Sequence, residues 1–151
     1  MKILLFLLLA FVPASAQEFA YGKLSDLSGL KRIFVDTETD LKSRESIQKI
    51  LVNSKLGFEL LDAVDDAEIV IIFRPGSYTR TVGIPQPNGG TLIGQPKILT
   101  GKGWVLVPQP TGKPKLVMSF EDEQGTAFEK KPVTNFANDF VKAYKSLMSP
   151  K

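Results

Sequence analysis

The chain has 151 residues, with 19 lysines and arginines against 16 acids, a formal net charge of +3, and no cysteine or histidine. The missing residue types exclude disulfides, metal sites built on sulfur or imidazole ligands, and nucleophiles that depend on cysteine or histidine. Any catalysis would have to use carboxylates, lysine, tyrosine or hydroxyl groups.

Residues 1–16 are typical of a secretory signal peptide. Lys2 precedes an apolar run over residues 3–12, and Ala14-Ser15-Ala16 forms a small-residue cleavage site. The run is about half of the ~20 residues that a spanning helix needs. We therefore expect an exported bacterial protein, periplasmic or secreted, whose mature form is one domain over residues 17–151 with no membrane span.

The first half of the mature chain predicts a β-α-β-β order. Residues 30–36 and 58–62 are predicted strands, and residues 43–58 between them are a predicted helix that ends at Gly57. A strand-helix-strand unit makes the two strands parallel with a right-handed crossover. Residues 67–73 form the most apolar run of the mature chain and are predicted to be a central strand.

The second half predicts strands and one helix. Residues 76–82 alternate as in a half-exposed strand, and residues 83–103 are so rich in glycine and proline that they indicate a long loop or an irregular hairpin. Residues 103–109 and 114–120 flank a turn and predict an antiparallel hairpin. Residues 132–148 predict an amphipathic helix. The expected fold is α+β: one mixed sheet of five to six strands with a βαβ start, a central hairpin region and a C-terminal helix packed on one face.

Three acids follow the first predicted strand: Asp36, Glu38 and Asp40. The motif Val-Asp-Thr-Glu-Thr resembles the first motif of the DnaQ-like 3′–5′ exonucleases, in which Asp-x-Glu on a strand binds two metal ions. That resemblance would make Asp36 and Glu38 metal ligands. The chain lacks the late histidine of that family, and Met148 stands where its other form has an aspartate after Tyr144.

The same acids fit the start of a helix. Thr37 and Asp40 have the spacing of a capping box, Thr39 and Asp40 are favourable N-cap residues, and acids in a first turn interact well with the helix dipole. We favour this structural interpretation, so no metal or other cofactor is expected. The metal site built on Asp36, Glu38 and Asp40 stays open as the alternative.

Charge is distributed unevenly along the chain. No acid lies between Glu68 and Glu121, and this segment carries only basic charges. If the segment forms one face, that face attracts anions. It also holds two aromatic residues. The candidate binding residues are Arg74, Tyr78, Arg80, Lys97, Lys102 and Trp104. An anionic glycan, a lipid headgroup, a peptidoglycan fragment or an envelope protein is the expected partner, and nucleic acid is disfavoured.

Residues 33–36, 44–51, 57–62 and 66–73 resemble small secreted bacterial domains of unknown function. The chain is more distantly similar to the N-terminal accessory domains of Tol-Pal-type and curli-secretion envelope proteins. These domains carry no catalytic residues, so the resemblance implies a non-catalytic interaction domain. The alternative function is a carboxylate- or divalent-metal-dependent hydrolase or nuclease.

Overall fold

The computed structural model describes residues 19–125 and 129–149, so the predicted signal peptide lies outside the described residues. In chain order the elements are strand β1 (Ala20–Tyr21), a 3-10 helical turn (Leu24–Leu27), β2 (Arg32–Asp36), helix α1 (Leu41–Asn53), β3 (Glu59–Leu61), β4 (Ile69–Thr79), β5 (Val82–Pro85), β6 (Thr91–Gly94), β7 (Lys97–Val107), β8 (Lys115–Glu123) and helix α2 (Pro132–Met148).

Six strands form one mixed sheet in the order β1-β8-β7-β4-β2-β3. Strand β2 lies parallel to both β3 and β4, which confirms the predicted βαβ unit and the interior position of β4. Strands β4, β7 and β8 are antiparallel neighbours, so the predicted antiparallel hairpin of residues 103–109 and 114–120 is also confirmed. The fold is α+β, as the sequence predicts.

Both helices pack on the same face of the sheet. Alternate residues of β2 and β4, such as Ile33, Val35 and Ile71, point to that face and are fully or almost fully buried. Helix α2 adds Phe136 and Tyr144, which are 0% and 2% exposed, as its amphipathic pattern predicts. The core contains Leu27, Ile33, Val35, Ile47, Leu51, Ile69, Ile71, Phe73, Val105, Val107, Val133, Phe136, Ala137, Phe140, Val141 and Tyr144.

Helix α1 ends earlier than the boundary predicted at Gly57. Its last residue is Asn53, and the N–H of Ser54 donates to the carbonyl of Ile50 to close the last turn. Lys55 then adopts a φ of +56° and Gly57 a φ of +74°. Lys55, not Gly57, is therefore the left-handed residue that directly follows the C-cap Ser54. The predicted end of the helix at Gly57 is wrong.

Strands β4 and β7 continue as a pair beyond the end of β8. Their pairing runs to Thr79 and Lys97, and the Arg80 N–H then donates to the Pro96 carbonyl at 3.1 Å. Strands β5 and β6 extend this ribbon as a separate two-stranded sheet. We call residues 77–98 the β-arm. The glycine- and proline-rich residues 83–103 are therefore largely strand, and the hairpin interpretation is the one that describes them.

Candidate functional site

The acidic turn after β2 is closed by an arginine from the neighbouring strand β4. The guanidinium of Arg74 lies 3.0 Å from a carboxylate oxygen of Asp36 and 3.0 Å from one of Glu38. It also donates to the Asp36 carbonyl at 3.1 Å. Arg74 reaches both acids because β2 and β4 are adjacent and parallel. One cation thus neutralises two of the three predicted metal ligands.

The third acid caps helix α1. The carboxylate of Asp40 accepts bonds from the N–H of Ser43 at 3.2 Å and from its hydroxyl at 2.7 Å. The hydroxyl of Thr37, which is 3% exposed, donates to the Asp40 carbonyl at 2.7 Å. The predicted cap is confirmed at Asp40. Glu38 has a φ of +53°, which the turn imposes on it.

Within residues 19–125 and 129–149, no three His, Cys, Asp or Glu side chains are arranged to hold a metal ion. We expect millimolar Mg²⁺ or Mn²⁺ to leave the melting temperature unchanged, because the guanidinium of Arg74 already occupies the space between Asp36 and Glu38. Thermal unfolding with and without the metals checks this. A rise in melting temperature that Asp36→Asn abolishes would support the alternative metal-dependent enzyme instead.

Hydrogen bonds and ion pairs hold the pKa values of several carboxylates below their usual range. Partial burial raises the pKa of Asp36, but the Glu38 N–H and the Arg74 guanidinium outweigh it and hold that pKa below its usual value. The Ser43 hydroxyl lowers the pKa of Asp40. The Lys31 and Arg32 N–H groups, which donate to Glu68 at 2.8 and 3.0 Å, lower the pKa of that carboxyl.

We therefore expect stability to fall as the pH falls. The unfolded chain binds protons at the ordinary carboxyl pKa of about 4, and the folded chain binds them only at lower pH. The stabilisation is complete above the unfolded pKa and is lost as the pH drops through the folded one. Denaturant unfolding between about pH 6 and about pH 3 measures it, and Glu68→Gln should reduce the slope. An unfolding free energy that does not change over this interval would contradict the assignment.

Of the six candidate binding residues, three have their polar groups engaged by acids from outside the basic segment. Arg74 pairs with Asp36 and Glu38 as described. Lys102 lies 3.3 Å from Glu121, its partner across the β7–β8 pair. The Tyr78 hydroxyl donates to Glu123 at 2.7 Å, and this bond raises the pKa of Tyr78.

The remaining three candidates lie apart from one another. Trp104 is half-buried on the face of the sheet that the helices do not cover, in a row with Ile72 and Ser119. Arg80 is exposed at the base of the outer, β5–β6 part of the β-arm. Lys97 begins β7 and faces the helix side. Strand alternation places Arg74, Tyr78, Lys102 and Trp104 on the face away from the helices, and Arg74 is the cross-strand partner of Lys102. Because Lys97 lies on the opposite face, the six predicted residues do not form one site.

Lys97 instead joins two lysines that the sequence interpretation missed. A cleft of about 460 Å³ lies where the first turns of α1 and α2 approach the base of the β-arm, and Lys42, Lys97 and Lys131 all line it. Among the described residues none of the three takes part in an ion pair. The full lining is Asp40, Lys42, Ser43, Ser46, Phe73, Pro75, Gly76, Lys97, Leu99, Thr100, Lys131, Pro132 and Val133. We call this the lysine cleft.

The lysine cleft has a positive electrostatic balance. Its one acid, Asp40, has its carboxylate engaged by Ser43 in the cap of α1. Lys131 is the N-cap residue of α2 and makes no side-chain cap bond. Because Lys131, Pro132 and Val133 all line the cleft, the positive end of that helix faces it. Ser46 and Thr100 also line the cleft, and the Ser46 hydroxyl donates to the Lys42 carbonyl at 2.8 Å. Three ammonium groups that line one cleft suit a small oxyanion.

A signal for this cleft was present in the sequence. Lys42 and Lys131 stand at the starts of the two predicted helices, where a basic residue is electrostatically unfavourable. Neither lysine therefore stabilises the helix that it precedes or begins, and this unfavourable placement was the available signal. The interpretation missed them because it followed a contiguous charge segment, whereas the cleft combines residues from three separate elements.

No protein-family model matches the chain, and no curated protein matches it either. Among solved structures it is similar to a PDZ domain protein from Parabacteroides distasonis, with 8% identity, a TM-score of 0.44, and coverage of 81% of this chain and 33% of that one. It is also similar to a minor lipoprotein from Acinetobacter baumannii, with 11% identity, a TM-score of 0.40, and coverage of 81% of this chain and 96% of that one.

This chain thus spans about a third of the PDZ domain protein, at 33%. Both neighbours are bacterial proteins, and likenesses of this size carry no argument about function. Neither is described as a Tol-Pal-type or curli-secretion protein, so that resemblance stays a prediction. Within the part of the chain that the structure describes, no helix is both long and apolar enough to cross a bilayer.

Proposed function

We propose that this protein is a non-catalytic, exported binding module that holds a small anionic ligand in the lysine cleft. One observation carries the proposal: Lys42, Lys97 and Lys131 come from three different elements, line the same cleft, and form no ion pair with any described residue. By contrast, Arg74 and Lys102 have acidic partners. The signal-peptide pattern of residues 1–16 supports export to the bacterial envelope or beyond it.

The chemistry of the cleft favours an oxyanion over a neutral ligand. Ammonium groups that line one cleft repel one another, and an anion removes that repulsion while it accepts their hydrogen bonds. The walls contributed by Phe73, Pro75 and Leu99 are apolar and would pack against a nonpolar part of the ligand. A phosphorylated or carboxylated small molecule, such as a fragment of an anionic glycan, has both features.

Isothermal titration with inorganic pyrophosphate and with an oligogalacturonate tests the proposal, with maltotriose as the neutral control. We expect both anions to bind, binding to weaken as the salt concentration rises, and maltotriose not to bind. Lys97→Gln and Lys131→Gln should each weaken binding by about fivefold, the upper end for a partly exposed charge pair.

Lys49→Gln is the matched control, because Lys49 is an exposed lysine of α1 that does not line the cleft. It should bind like the unaltered protein. If all three lysine variants lose affinity equally, the anion binds only through general surface charge and the proposal fails. It also fails if neither anion binds at low salt.

A further inference from the structure

The outer part of the β-arm is an uncharged and partly apolar surface. Residues 81–96 contain no Asp, Glu, Lys or Arg, although Arg80 and Lys97 stand directly on either side. Ile84, Leu92 and Ile93 are 49%, 58% and 68% exposed. Edge strands of soluble proteins are normally protected by charges, prolines or bulges. The absence of charge here indicates a surface that is covered by another chain.

The backbone bonding pattern shows which edge of the arm is open. Two bonds flank the β5–β6 pair, from the Arg80 N–H to Pro96 and from the Gln86 N–H to Gly90 at 2.8 Å. Bonded and non-bonded pairs alternate in an antiparallel ladder. The pairs Val82–Gly94 and Ile84–Leu92 are therefore bonded inside the ribbon, and the backbone groups of the residues between them point outward.

The two outward edges differ. On β5 the outward residues are Gly83 and Pro85, and proline has no N–H to donate, so this edge is blocked. On β6 they are Thr91 and Ile93, whose outward N–H and carbonyl groups bond to no other backbone group among the described residues. The β5–β6 register runs without a bulge. Strand β6 thus presents a regular, unprotected edge.

We propose that two copies of this chain associate by antiparallel pairing of β6 with β6. A two-fold axis through Leu92 puts Thr91 of each copy opposite Ile93 of the other, so the outward groups of both residues are satisfied. Leu92 then faces Leu92 across the axis in a non-bonded position. Because Ile84 shares a face with Leu92, the four-stranded sheet carries a continuous apolar row of Ile84 and Leu92 from both copies.

A second copy is favoured over a different partner by charge and symmetry. Two uncharged β6 strands meet without bringing like charges together, although the chain as a whole has a net charge of +3. An uncharged strand offers no charge complementarity to select an acidic or basic partner. When β6 pairs antiparallel with a second β6, the same residues meet on both sides of the axis, as a two-fold interface requires. The interface is smaller than the standard size, so we expect association that depends on concentration.

Because the chain has no cysteine, a single introduced thiol reports the pairing directly. In the proposed dimer the Leu92 α-carbons lie about 4.5 Å apart, within the range in which a disulfide closes. We expect Leu92→Cys to form a covalent dimer under mild oxidation. Ile84→Cys is the matched control on the same face, about 14 Å from its equivalent across three strand spacings, and it should form far less. Equal rates of crosslinking for the two variants would overturn the proposal.

Sedimentation over a dilution series provides the second measurement. Ile93→Pro removes an outward N–H of β6 and should keep the protein monomeric at every concentration. Gly83→Pro places proline at the cross-strand partner of Ile93, on the edge that is already blocked, and should dimerise like the unaltered chain. The proposal is overturned if the unaltered chain stays monomeric throughout, or if both proline variants dimerise to the same extent.

Discussion

Gly103→Ala should lower the free energy of unfolding by about 3 kcal/mol, the upper end for overpacking in a core. Gly103 lies on the helix side of β7, and a Cβ added there would lie 2.6 to 2.8 Å from three ring carbons of Phe136. Phe136 is fully buried and packs against Phe73 and Phe120 with ring centroids 5.6 and 5.2 Å away. The ring cannot move aside, so α2 would have to shift away from the sheet.

Denaturant unfolding of Gly103→Ala measures the loss, with Gly94→Ala as the control. Gly94 also lies in a strand, but its added Cβ would meet Val82 at an ordinary 3.5 Å. We expect Gly94→Ala to leave stability nearly unchanged. If the two variants unfold at the same denaturant concentration, the close approach of α2 to β7 at Gly103 is wrong.

Phe136→Ala should cost about 3 to 5 kcal/mol, the range for truncating a buried aromatic ring. The ring fills the space that Gly103 leaves on β7 and holds α2 to the sheet through its contacts with Phe73 and Phe120. Thermal or denaturant unfolding measures the loss.

Combining the two substitutions tests whether they act at one place. Because the added methyl group of Gly103→Ala would enter the cavity that Phe136→Ala creates, the double variant should be more stable than the sum of the single losses predicts. Strict additivity would show that Gly103 and Phe136 do not contact each other. The comparison also bears on function, since α2 carries Lys131 to the lysine cleft.

The periodic parts of the sequence predict the fold well. The apolar runs predict where β2, β3 and β4 lie along the chain. The pattern of α2 predicts that Phe136, Phe140 and Tyr144 are buried. These elements follow local rules, because a strand or helix must bury its apolar side. The end of α1 was predicted less well, since Lys55 adopts a left-handed conformation that its residue type does not indicate.

The β-arm could not be placed from local pattern alone. Glycine and proline in residues 83–103 mark turns, and they do not distinguish a long loop from an irregular hairpin. The long pairing of β4 with β7 arises from contacts between segments far apart in the chain. These residues continue the sheet as a two-stranded ribbon because β4 and β7 are already paired within it.

The charge analysis did not foresee the ion pairs of Arg74 and Lys102 for a related reason. It treated residues 69–120 as a basic surface without the acids that fold against it. In the structure Arg74 pairs with Asp36 and Glu38. Lys102 pairs with Glu121, and Tyr78 donates to Glu123. One of these contacts could have been predicted from the sequence. Folding the predicted hairpin at its turn, residues 110–113, already puts Lys102 opposite Glu121. The pairing of Arg74 with Asp36 depends on the order of β2 and β4, which the sequence does not specify.

The most direct test of the lysine cleft is a map of backbone amide chemical shifts during titration with inorganic pyrophosphate. Binding in the cleft predicts that the largest changes fall in three separate segments, residues 42–46, 97–100 and 131–134, and that they disappear in a variant with Lys97→Gln and Lys131→Gln. Changes centred on Arg74, Lys102 and Trp104, or spread evenly over all exposed lysines, would contradict the account.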